Sequence, residues 1–268
     1  MKKILLSLVL VLLVFGCKSS PKNADSTEKA GADATAIFMR GNDFYHGHAF
    51  DLAINEFTEV LKKDPGMADA YISRGNAYSC KLDFENALND YLTGAQKNAF
   101  YRHYAQGYAR YLDGDYQTAI NEFTEAISLK SNLFAAYNDR GLAYANSGNQ
   151  DLAIADFSEA ININPNFALA YNNRGNAYLK KGNYDKAIQD YTKAIELYPG
   201  MVFSYSGRGL ANYWTKNYDK AIEDYNKALA ITPNDHSLYT LRGDAYSARG
   251  QRNLADADYA MADALRRG

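Results

Sequence analysis

A glycine recurs seven times along this chain of 268 residues, at an almost constant interval. The interval is 34 residues in every case but one, where it is 32. An alanine follows each glycine after twelve residues, and an aromatic residue follows each alanine after four. The three series are Gly41, Gly75, Gly107, Gly141, Gly175, Gly209 and Gly243; Ala53, Ala87, Ala119, Ala153, Ala187, Ala221 and Ala255; and Phe57, Tyr91, Phe123, Phe157, Tyr191, Tyr225 and Tyr259. A period of this length indicates copies of one small structural unit.

Each copy contains two apolar stretches with helical period, separated by a turn such as Lys181-Gly182-Asn183. A glycine inside a helix costs about 1 kcal/mol relative to alanine, so seven of them require a structural reason. We predict that glycine and alanine let the two helices approach closely, while the aromatic ring fills the space beside them. A single helix pair cannot bury its apolar face alone, whereas stacked pairs share a continuous core. The predicted fold class is therefore all-α.

The clearest copy, residues 171–199, reads YNNRGNAYLKKGNYDKAIQDYTKAIELYP. Four of the five prolines close a copy, namely Pro65, Pro165, Pro199 and Pro233. The pattern resembles the tetratricopeptide repeat, which has a period of 34 and the same glycine, alanine, aromatic and proline positions. The resemblance implies a right-handed α-solenoid of seven helix–turn–helix repeats over residues 34–268, starting near 34, 68, 100, 134, 168, 202 and 236. The repeats are numbered 1 to 7 below, each with a first and a second helix.

The N-terminal segment has a different character. Two lysines precede an apolar run of 12 residues, Ile4 to Phe15, which is shorter than the roughly 20 residues that a membrane-spanning helix needs. The run ends in VFGC at residues 14–17, which resembles a bacterial lipoprotein signal. This resemblance implies a signal peptide at 1–16 and acylation of Cys17, with an uncleaved anchor or plain secretion as alternatives.

Residues 17–33 are predicted to be a flexible tether, because 18–33 contain no large apolar side chain. Lys18 follows the cysteine in place of an aspartate. By the sorting habit of enterobacterial lipoproteins, this favours the outer membrane of a bacterial cell envelope, with the repeats facing the periplasm.

The two ends of the array are marked by charge. Two residues after the glycine, six repeats have alanine, but repeat 1 has Asp43. On the second helix, repeat 7 has Asp256 and Asp263 where the other repeats have Ile, Leu or Ala. Terminal repeats of a solenoid need a polar outer face. We therefore expect an array of seven repeats that is monomeric and does not stack end to end.

An arginine precedes the glycine in six repeats, and an acid precedes the second-helix aromatic in all seven. Arginines alone would suggest phosphate binding, but the matched acids favour a ladder of partly buried ion pairs between helices. In repeat 3, Gln106 replaces the arginine, so Glu122 is expected to lack a partner.

In the tetratricopeptide family, the first helices line a concave groove in which ligands bind. The resemblance therefore implies a peptide-binding groove on the first helices of repeats 3 to 6. Its residues are Tyr101, Tyr104, Tyr108, Tyr111, Asn138, Leu142, Asn172, Asn176, Phe203, Leu210, Tyr213 and Trp214. This set is aromatic at two places with amides between them, and it is almost uncharged, which suits a neutral or apolar peptide.

The four tyrosines of repeat 3 form one stripe on a helix, because they are spaced 3, 4 and 3 residues apart. A second interpretation of this stripe remains open. Repeat 2 is two residues shorter than the others, and the shortfall lies just before this helix. A rotation of the helix would turn the stripe from the groove into the core.

Composition and motifs restrict the function. The 29 basic and 31 acidic residues give no electrostatic case for nucleic acid. There is no phosphate-binding glycine loop, zinc spacing or supported nucleophile–base arrangement, so the sequence predicts no enzyme, cofactor or metal site. The preferred function is a lipid-anchored periplasmic adaptor that binds peptide segments of envelope proteins. The alternative is a lipoprotein that binds peptidoglycan glycan strands, since tyrosine and asparagine also suit carbohydrate.

Overall fold

The computed structural model describes residues 34–47, 49–81 and 83–267. In this part of the chain all regular structure is helical, with fourteen α-helices and no strand, which confirms the predicted all-α class. The helices are α1 (Ala34–His46), α2 (Phe50–Lys63), α3 (Ala68–Cys80), α4 (Phe84–Lys97), α5 (Ala99–Leu112), α6 (Tyr116–Leu129), α7 (Phe134–Asn146), α8 (Gln150–Ile163), α9 (Ala168–Lys180), α10 (Tyr184–Leu197), α11 (Val202–Trp214), α12 (Tyr218–Ile231), α13 (His236–Ala248) and α14 (Arg252–Arg267). The predicted signal peptide, Cys17 and the tether lie outside the described residues.

Two consecutive helices make one repeat, from α1 and α2 in repeat 1 to α13 and α14 in repeat 7, and they pack against each other. The chain divides into two compact units, Met1–Ser131 with α1 to α6 and Asn132–Gly268 with α7 to α14. Within each unit, the second helix of a repeat also packs against the first helix of the next. None of the described helices has the combination of length and apolar character that would let it cross a membrane.

The predicted close contact at the repeated glycine is present in all seven repeats. A Cβ atom built on the glycine would lie 2.5–2.9 Å from the ring of the second-helix aromatic, closer than real Cβ contacts. In repeat 5, for example, Gly175 faces the ring of Tyr191, which is completely buried. The contact fixes how the two helices are rotated against each other, so a given position relative to the glycine recurs in comparable surroundings.

The second-helix aromatic is a tyrosine in four repeats, and the residue after the glycine decides what its hydroxyl meets. In three of them that residue is Asn or Asp and accepts the hydroxyl hydrogen bond: Tyr91 to Asn76 at 3.0 Å, Tyr191 to Asn176 at 2.6 Å and Tyr259 to Asp244 at 2.9 Å. Repeat 6 has Leu210 at this place. The hydroxyl of Tyr225 is consequently buried with no hydrogen-bond partner among the described residues.

The predicted ion pairs are confirmed in all six repeats that have the arginine. Their shortest N–O distances are 2.6–2.8 Å, in Arg40–Glu56, Arg74–Asp90, Arg140–Asp156, Arg174–Asp190, Arg208–Asp224 and Arg242–Asp258. In repeat 5, Arg174 donates from Nε and Nη2 to the two carboxylate oxygens of Asp190, each at 2.8 Å. These hydrogen bonds raise the pKa of Arg174, although burial opposes the shift. The arginines of the ladder are thus occupied by acids and do not form a phosphate site.

The same guanidinium also joins neighbouring repeats. Nη1 of Arg174 donates to Oγ of Ser158 in repeat 4 at 3.0 Å, and equivalent bonds to the preceding repeat form in repeats 2, 6 and 7. In five repeats, the ring of the tyrosine three residues before the arginine lies 5.4–5.8 Å from the guanidinium carbon. In repeats 2, 5, 6 and 7 the arginine therefore ties both helices of its repeat to the repeat before it.

Repeat 3 lacks the arginine, but the expectation that Glu122 has no partner is wrong. Nδ1 of His103 lies 2.8 Å from Oε2 of Glu122. His103 is three residues before Gln106, so the two side chains lie on the same face of α5 and the histidine can reach the same acid. Among the described residues, no hydrogen bond joins Gln106 to repeat 2, so the ladder is interrupted here.

The acids that mark the two ends of the array are exposed, as predicted. Asp43 is exposed on α1, whereas the alanine at the equivalent place in repeat 2, Ala77, is completely buried. Asp256 and Asp263 are exposed on α14, whereas their equivalents in repeat 6, Ile222 and Leu229, are buried. Charge thus replaces apolar contact on α1 and α14, as a polar end face requires.

We expect the ladder to stabilise the fold more than ion pairs on the surface do. Arg174→Ala leaves the carboxylate of Asp190 buried without its partner, which should lower the free energy of unfolding by about 3–5 kcal/mol. Arg249→Ala breaks a 2.7 Å pair with Asp219, whose side chains are 43% and 73% exposed, and should cost less than about 1 kcal/mol. Urea unfolding followed by circular dichroism measures both values. Equal losses would contradict a special role of the buried pairs.

Removal of the unpartnered hydroxyl of Tyr225 should not lower the free energy of unfolding. Tyr225→Phe removes a buried polar group that makes no hydrogen bond, so the free energy of unfolding should stay the same or rise by about 1 kcal/mol. Tyr191→Phe is the matched control, because it removes a hydroxyl that is bonded to Asn176, and it should cost about 1 kcal/mol. The same urea titration compares them. A loss in Tyr225→Phe as large as in Tyr191→Phe would mean that the Tyr225 hydroxyl has a partner.

Candidate functional site

The predicted groove residues lie on α5 in the first unit and on α7, α9 and α11 in the second, and their exposure differs. Three are exposed: Asn176, Phe203 and Trp214. Six are partly buried: Tyr101, Tyr108, Tyr111, Leu142, Leu210 and Tyr213. Three are buried: Tyr104, Asn138 and Asn172. The last three share one position, three residues before the glycine.

The prediction that Tyr104 offers contact area to a ligand is wrong, because only 4% of this residue is exposed. Its ring centre lies 5.7 Å from that of Phe123 on the second helix and 5.8 Å from that of Phe100. Rotation of α5 is not the cause, since Gly107 still faces Phe123 as in every other repeat. The equivalent residue of repeat 1, Phe38, also packs on its second-helix aromatic, with ring centres 5.6 Å apart. The residue at this position is also buried in repeats 2, 4 and 5, and it is partly buried in repeats 1, 6 and 7.

The prediction is also wrong for Asn138 and Asn172, whose amides are used inside the second unit. Asn173 donates to Oδ1 of Asn138 at 3.0 Å, and Asn172 donates to Oδ1 of Asn173 at 3.3 Å. Oγ of Ser204 donates to Oδ1 of Asn172 at 2.9 Å. These side chains form a polar chain through repeats 4, 5 and 6. Buried amides that bond one another in this way hold the repeats together and are not available to a peptide.

Tyr101 has its hydroxyl directed at the neighbouring repeat. The hydroxyl donates to Oδ1 of Asp69 on α3, and burial together with this carboxylate raises the pKa of the tyrosine. Nζ of Lys130 lies 5.7 Å from the centre of the tyrosine ring and 3.8 Å from Asp69. The three residues connect repeats 2 and 3. Tyr101 thus belongs mainly to the interface between the two repeats.

The C-terminal half of the tyrosine stripe, Tyr108 and Tyr111, is only partly buried. The ring centres of Tyr108 and Tyr111 are 6.2 Å apart, and Tyr111 lies 5.7 Å from Tyr116 at the start of α6. All three are partly buried, and Leu112 beside them is exposed. The stripe is thus divided: its N-terminal tyrosines are structural, and its C-terminal tyrosines leave ring area at the surface.

An exposed aromatic surface is present in the second unit. We define it as Phe203, Tyr213 and Trp214 of α11 with Tyr184 and Tyr218, the first residues of α10 and α12. Phe203 is 77% exposed and Trp214 57% exposed. They are eleven residues apart, about three turns, so they lie on one face of α11. The two units are separate compact bodies, and this surface belongs to the second alone.

The rings of this surface support one another. The rings of Trp214 and Tyr184 are nearly parallel, at 11°, with centres 6.5 Å apart. Tyr213 lies 5.7 Å from Trp214 and 5.6 Å from Tyr218. Sequence reasoning missed Tyr184 and Tyr218, although an aromatic residue nine positions after the glycine in five of the seven repeats was a usable signal. The result is a platform with a fixed tryptophan, suited to contact with apolar or planar groups.

The chemistry that the surface offers is contact and hydrogen bonding. Asn176 on the neighbouring α9 is exposed, and because its Oδ1 accepts from Tyr191, its amide orientation is set. Arg208 of repeat 6 is held by Asp224 and brings no free charge. In the part of the chain that the structure describes, no group of three or more His, Cys, Asp or Glu side chains is placed to hold a metal ion.

Two family models of known repeats match parts of this chain. The model described as "Tetratricopeptide repeat" matches residues 168–201 and 202–235. A second model, "TPR repeat", matches residues 107–148 and 143–182. Both cover segments in which the structure shows consecutive helix pairs.

Two curated proteins are similar over part of the chain. The small glutamine-rich tetratricopeptide repeat-containing protein 2 of Saccharomyces cerevisiae is 35% identical over 103 residues, which are 38% of this chain and 30% of the yeast protein. Tetratricopeptide repeat protein 6 of Homo sapiens is 33% identical over 96 residues, which are 33% of this chain and 18% of the human protein. The matched segment thus spans less than a third of either relative.

Solved structures share the fold over longer stretches. A crystal structure of MamA superposes with a TM-score of 0.57 at 25% identity, covering 60% of this chain and 94% of that one. The crystal structure of the APC/C hetero-tetramer Cut9–Hcn1 contains a chain that superposes with a TM-score of 0.63 at 21% identity, covering 79% of this chain and 42% of that one. With the helix pairs, the repeated glycine contact and the family matches, the chain is a member of the tetratricopeptide repeat family.

Proposed function

We propose that this chain is a membrane-anchored adaptor that binds peptide segments of partner proteins through the aromatic surface of its second unit. The observation that carries the proposal is the exposure of Phe203 and Trp214 on one face of α11. Neither ring fills the core, since the core of repeat 6 is made by residues such as Ala221, Tyr225 and Leu229. Large exposed aromatics on one face are typical of an interaction site.

The surroundings of the two rings favour a peptide with apolar side chains. Trp214 is held by Tyr184 and Tyr213, so little side-chain entropy is lost when a ligand packs on it. The amide of Asn176 can donate to a peptide carbonyl, while its oxygen is already used by Tyr191. Arg208, the ladder arginine of repeat 6, is neutralised by Asp224, so this surface has no reason to prefer an acidic peptide. The repeat family, a scaffold of helix pairs, agrees with binding as the activity.

We further propose that Cys17 carries a lipid that anchors the chain, after removal of residues 1–16. The support is the apolar run from Ile4 to Phe15, followed by Gly16 and Cys17. Several acyl chains on one cysteine, at about 0.8 kcal/mol per buried methylene, give a stable anchor. The proposed location is the bacterial cell envelope, at the outer membrane facing the periplasm. The exposed acids Asp43 and Asp256 support a monomeric array.

Partner capture tests the binding surface. The full chain, purified in detergent, is used as bait in solubilised envelopes, and the captured partner is identified and titrated. The double variant Phe203→Ala/Trp214→Ala should bind that partner at least about 30-fold more weakly, since interface aromatics contribute about 2 kcal/mol or more. The matched control is Leu254→Ala/Met261→Ala, which removes two exposed apolar side chains from α14. If both double variants bind like the unchanged chain, the partner uses another surface.

A stacked, exposed tryptophan also suits the face of a sugar ring, which keeps the glycan alternative in the test. The same variants are sedimented with purified peptidoglycan. Sedimentation of the unchanged chain, with loss in Phe203→Ala/Trp214→Ala and none in the α14 control, would replace the peptide by a glycan strand as the ligand. No sedimentation leaves the peptide proposal in place.

The anchor has its own test. Cys17→Ser removes the thiol through which the proposed lipid would attach, so the protein should leave the membrane fraction or accumulate as an unprocessed precursor. Incorporation of a labelled fatty acid should disappear at the same time. Fractionation and labelling identical to those of the unchanged chain would exclude lipidation at this residue.

A further inference from the structure

The first unit contains a break in the repeat pattern on α5. Three residues of this helix have no equivalent of their own type in any other repeat: Arg102, Gln106 and Arg110. Arg102 stands where repeats 2 and 4 to 7 bury a small or apolar side chain completely or almost so. Gln106 replaces the ladder arginine, and Arg110 replaces the tyrosine that four other repeats have. The shorter repeat 2 precedes this helix directly.

A cleft of about 400 Å³ opens at this place. It is lined by one face of α5, including Arg102, Gln106 and Arg110, together with Ala95 of α4 and Glu122 of α6. In repeats 2, 4, 5 and 7 the tyrosine at the place of Arg110 packs against a core cluster. None of the residues that line the cleft belongs to the predicted peptide-binding set, and the lining includes residues of two second helices. The cleft is therefore distinct from the predicted groove.

The two arginines of the cleft are available. Both are exposed, and no carboxylate among the described residues forms an ion pair with either of them. Glu122 is held by His103 at 2.8 Å. Asp113 also lines the cleft and is exposed, but makes no ion pair with Arg110. The carboxylate of Asp115 interacts electrostatically with Arg110 without forming an ion pair with it. The cleft thus presents two guanidinium groups whose hydrogen-bond donors are not bound by a carboxylate of the described residues.

A second cleft, in the other unit, shows that the open space alone does not create this property. It has a volume of about 450 Å³ and lies beside Asn212, which replaces the same tyrosine in repeat 6. Its arginine, Arg208, is bound by both carboxylate oxygens of Asp224 at 2.7 and 3.1 Å. Of these two clefts, only that of the first unit is therefore lined by arginines that form no ion pair with a described residue.

We propose that the cleft of the first unit binds an extended acidic peptide segment, whose carboxylates are received by Arg102 and Arg110. The planar guanidinium matches a carboxylate with two parallel hydrogen bonds, and Gln106 between them can bond the peptide backbone. Arg102 and Arg110 are eight residues apart, about 12 Å along a helix. Residues four apart in an extended strand are about 13 Å apart and point to the same side. The spacing thus selects two acids separated by three residues, more than one phosphate or carboxylate can span.

The experiment is a titration of the full chain in detergent with a fluorescent peptide that has two glutamates separated by Ser-Pro-Ser, followed by anisotropy. The comparison peptide has glutamine in place of both glutamates. We expect the glutamate peptide to bind at least tenfold more tightly and to weaken as salt is added. Arg102→Ala and Arg110→Tyr, which restore the residue types of other repeats, should each reduce its affinity about tenfold.

Two control variants separate this site from general charge and from open space. Arg252→Ala removes an exposed arginine elsewhere, and Asn212→Tyr fills the cleft of the second unit; both should keep the affinity. Circular dichroism verifies that each variant keeps its helix content. Equal binding of the two peptides, or equal losses in Arg110→Tyr and Arg252→Ala, would overturn the proposal. The cleft shares no residue with the aromatic surface. The peptide titration and the partner-capture experiment therefore test the two proposals independently.

Discussion

The contact between a helical glycine and an aromatic ring on the next helix is the constraint on which every repeat depends. No side chain fits between them, since even a Cβ would come within 2.9 Å of the ring. The ring therefore fixes the distance and rotation of the two helices together. Once this is fixed, the residue before the glycine reaches the acid of the second helix, and the residue after it reaches the tyrosine hydroxyl. Both the arginine ladder and the tyrosine–amide pairs follow from this single contact.

The fold was predictable because its determinants are local and repeated. Helix pairs, their phase and the pairing of Arg174 with Asp190 follow from spacing within one period. The partner of Glu122 was missed, because the prediction considered only the position of Gln106. His103 lies on the same face of the helix and contacts Glu122 instead. That signal was present in the sequence as a three-residue spacing.

The candidate site was less predictable, because exposure depends on neighbours that a single repeat does not contain. Tyr104 and Asn172 share a position, yet one meets a phenylalanine ring and the other an amide and a serine hydroxyl. A family rule for groove positions gives the direction of a side chain but not its final partner. Trp214 is exposed, as a groove residue was expected to be, and it is the last residue of α11. Its support by Tyr184 comes from the preceding repeat, which sequence spacing alone did not reveal.

The interruption of the ladder in repeat 3 has a consequence for how the first unit opens. In a linear array, stability is approximately the sum of each repeat's own stability and the coupling to its neighbours. Repeat 2 is coupled to repeat 1 by the bond from Arg74 to Thr58 and by the ion pair of Lys81 with Asp51. At the next junction the equivalent places hold Gln106 and two acids, Asp113 and Glu85. The contacts of Tyr101 and Lys130 with Asp69 remain at this junction. We expect repeats 1 and 2 to open together, with weaker coupling to repeat 3, so that amide hydrogens of α4 exchange through an opening that leaves α6 intact.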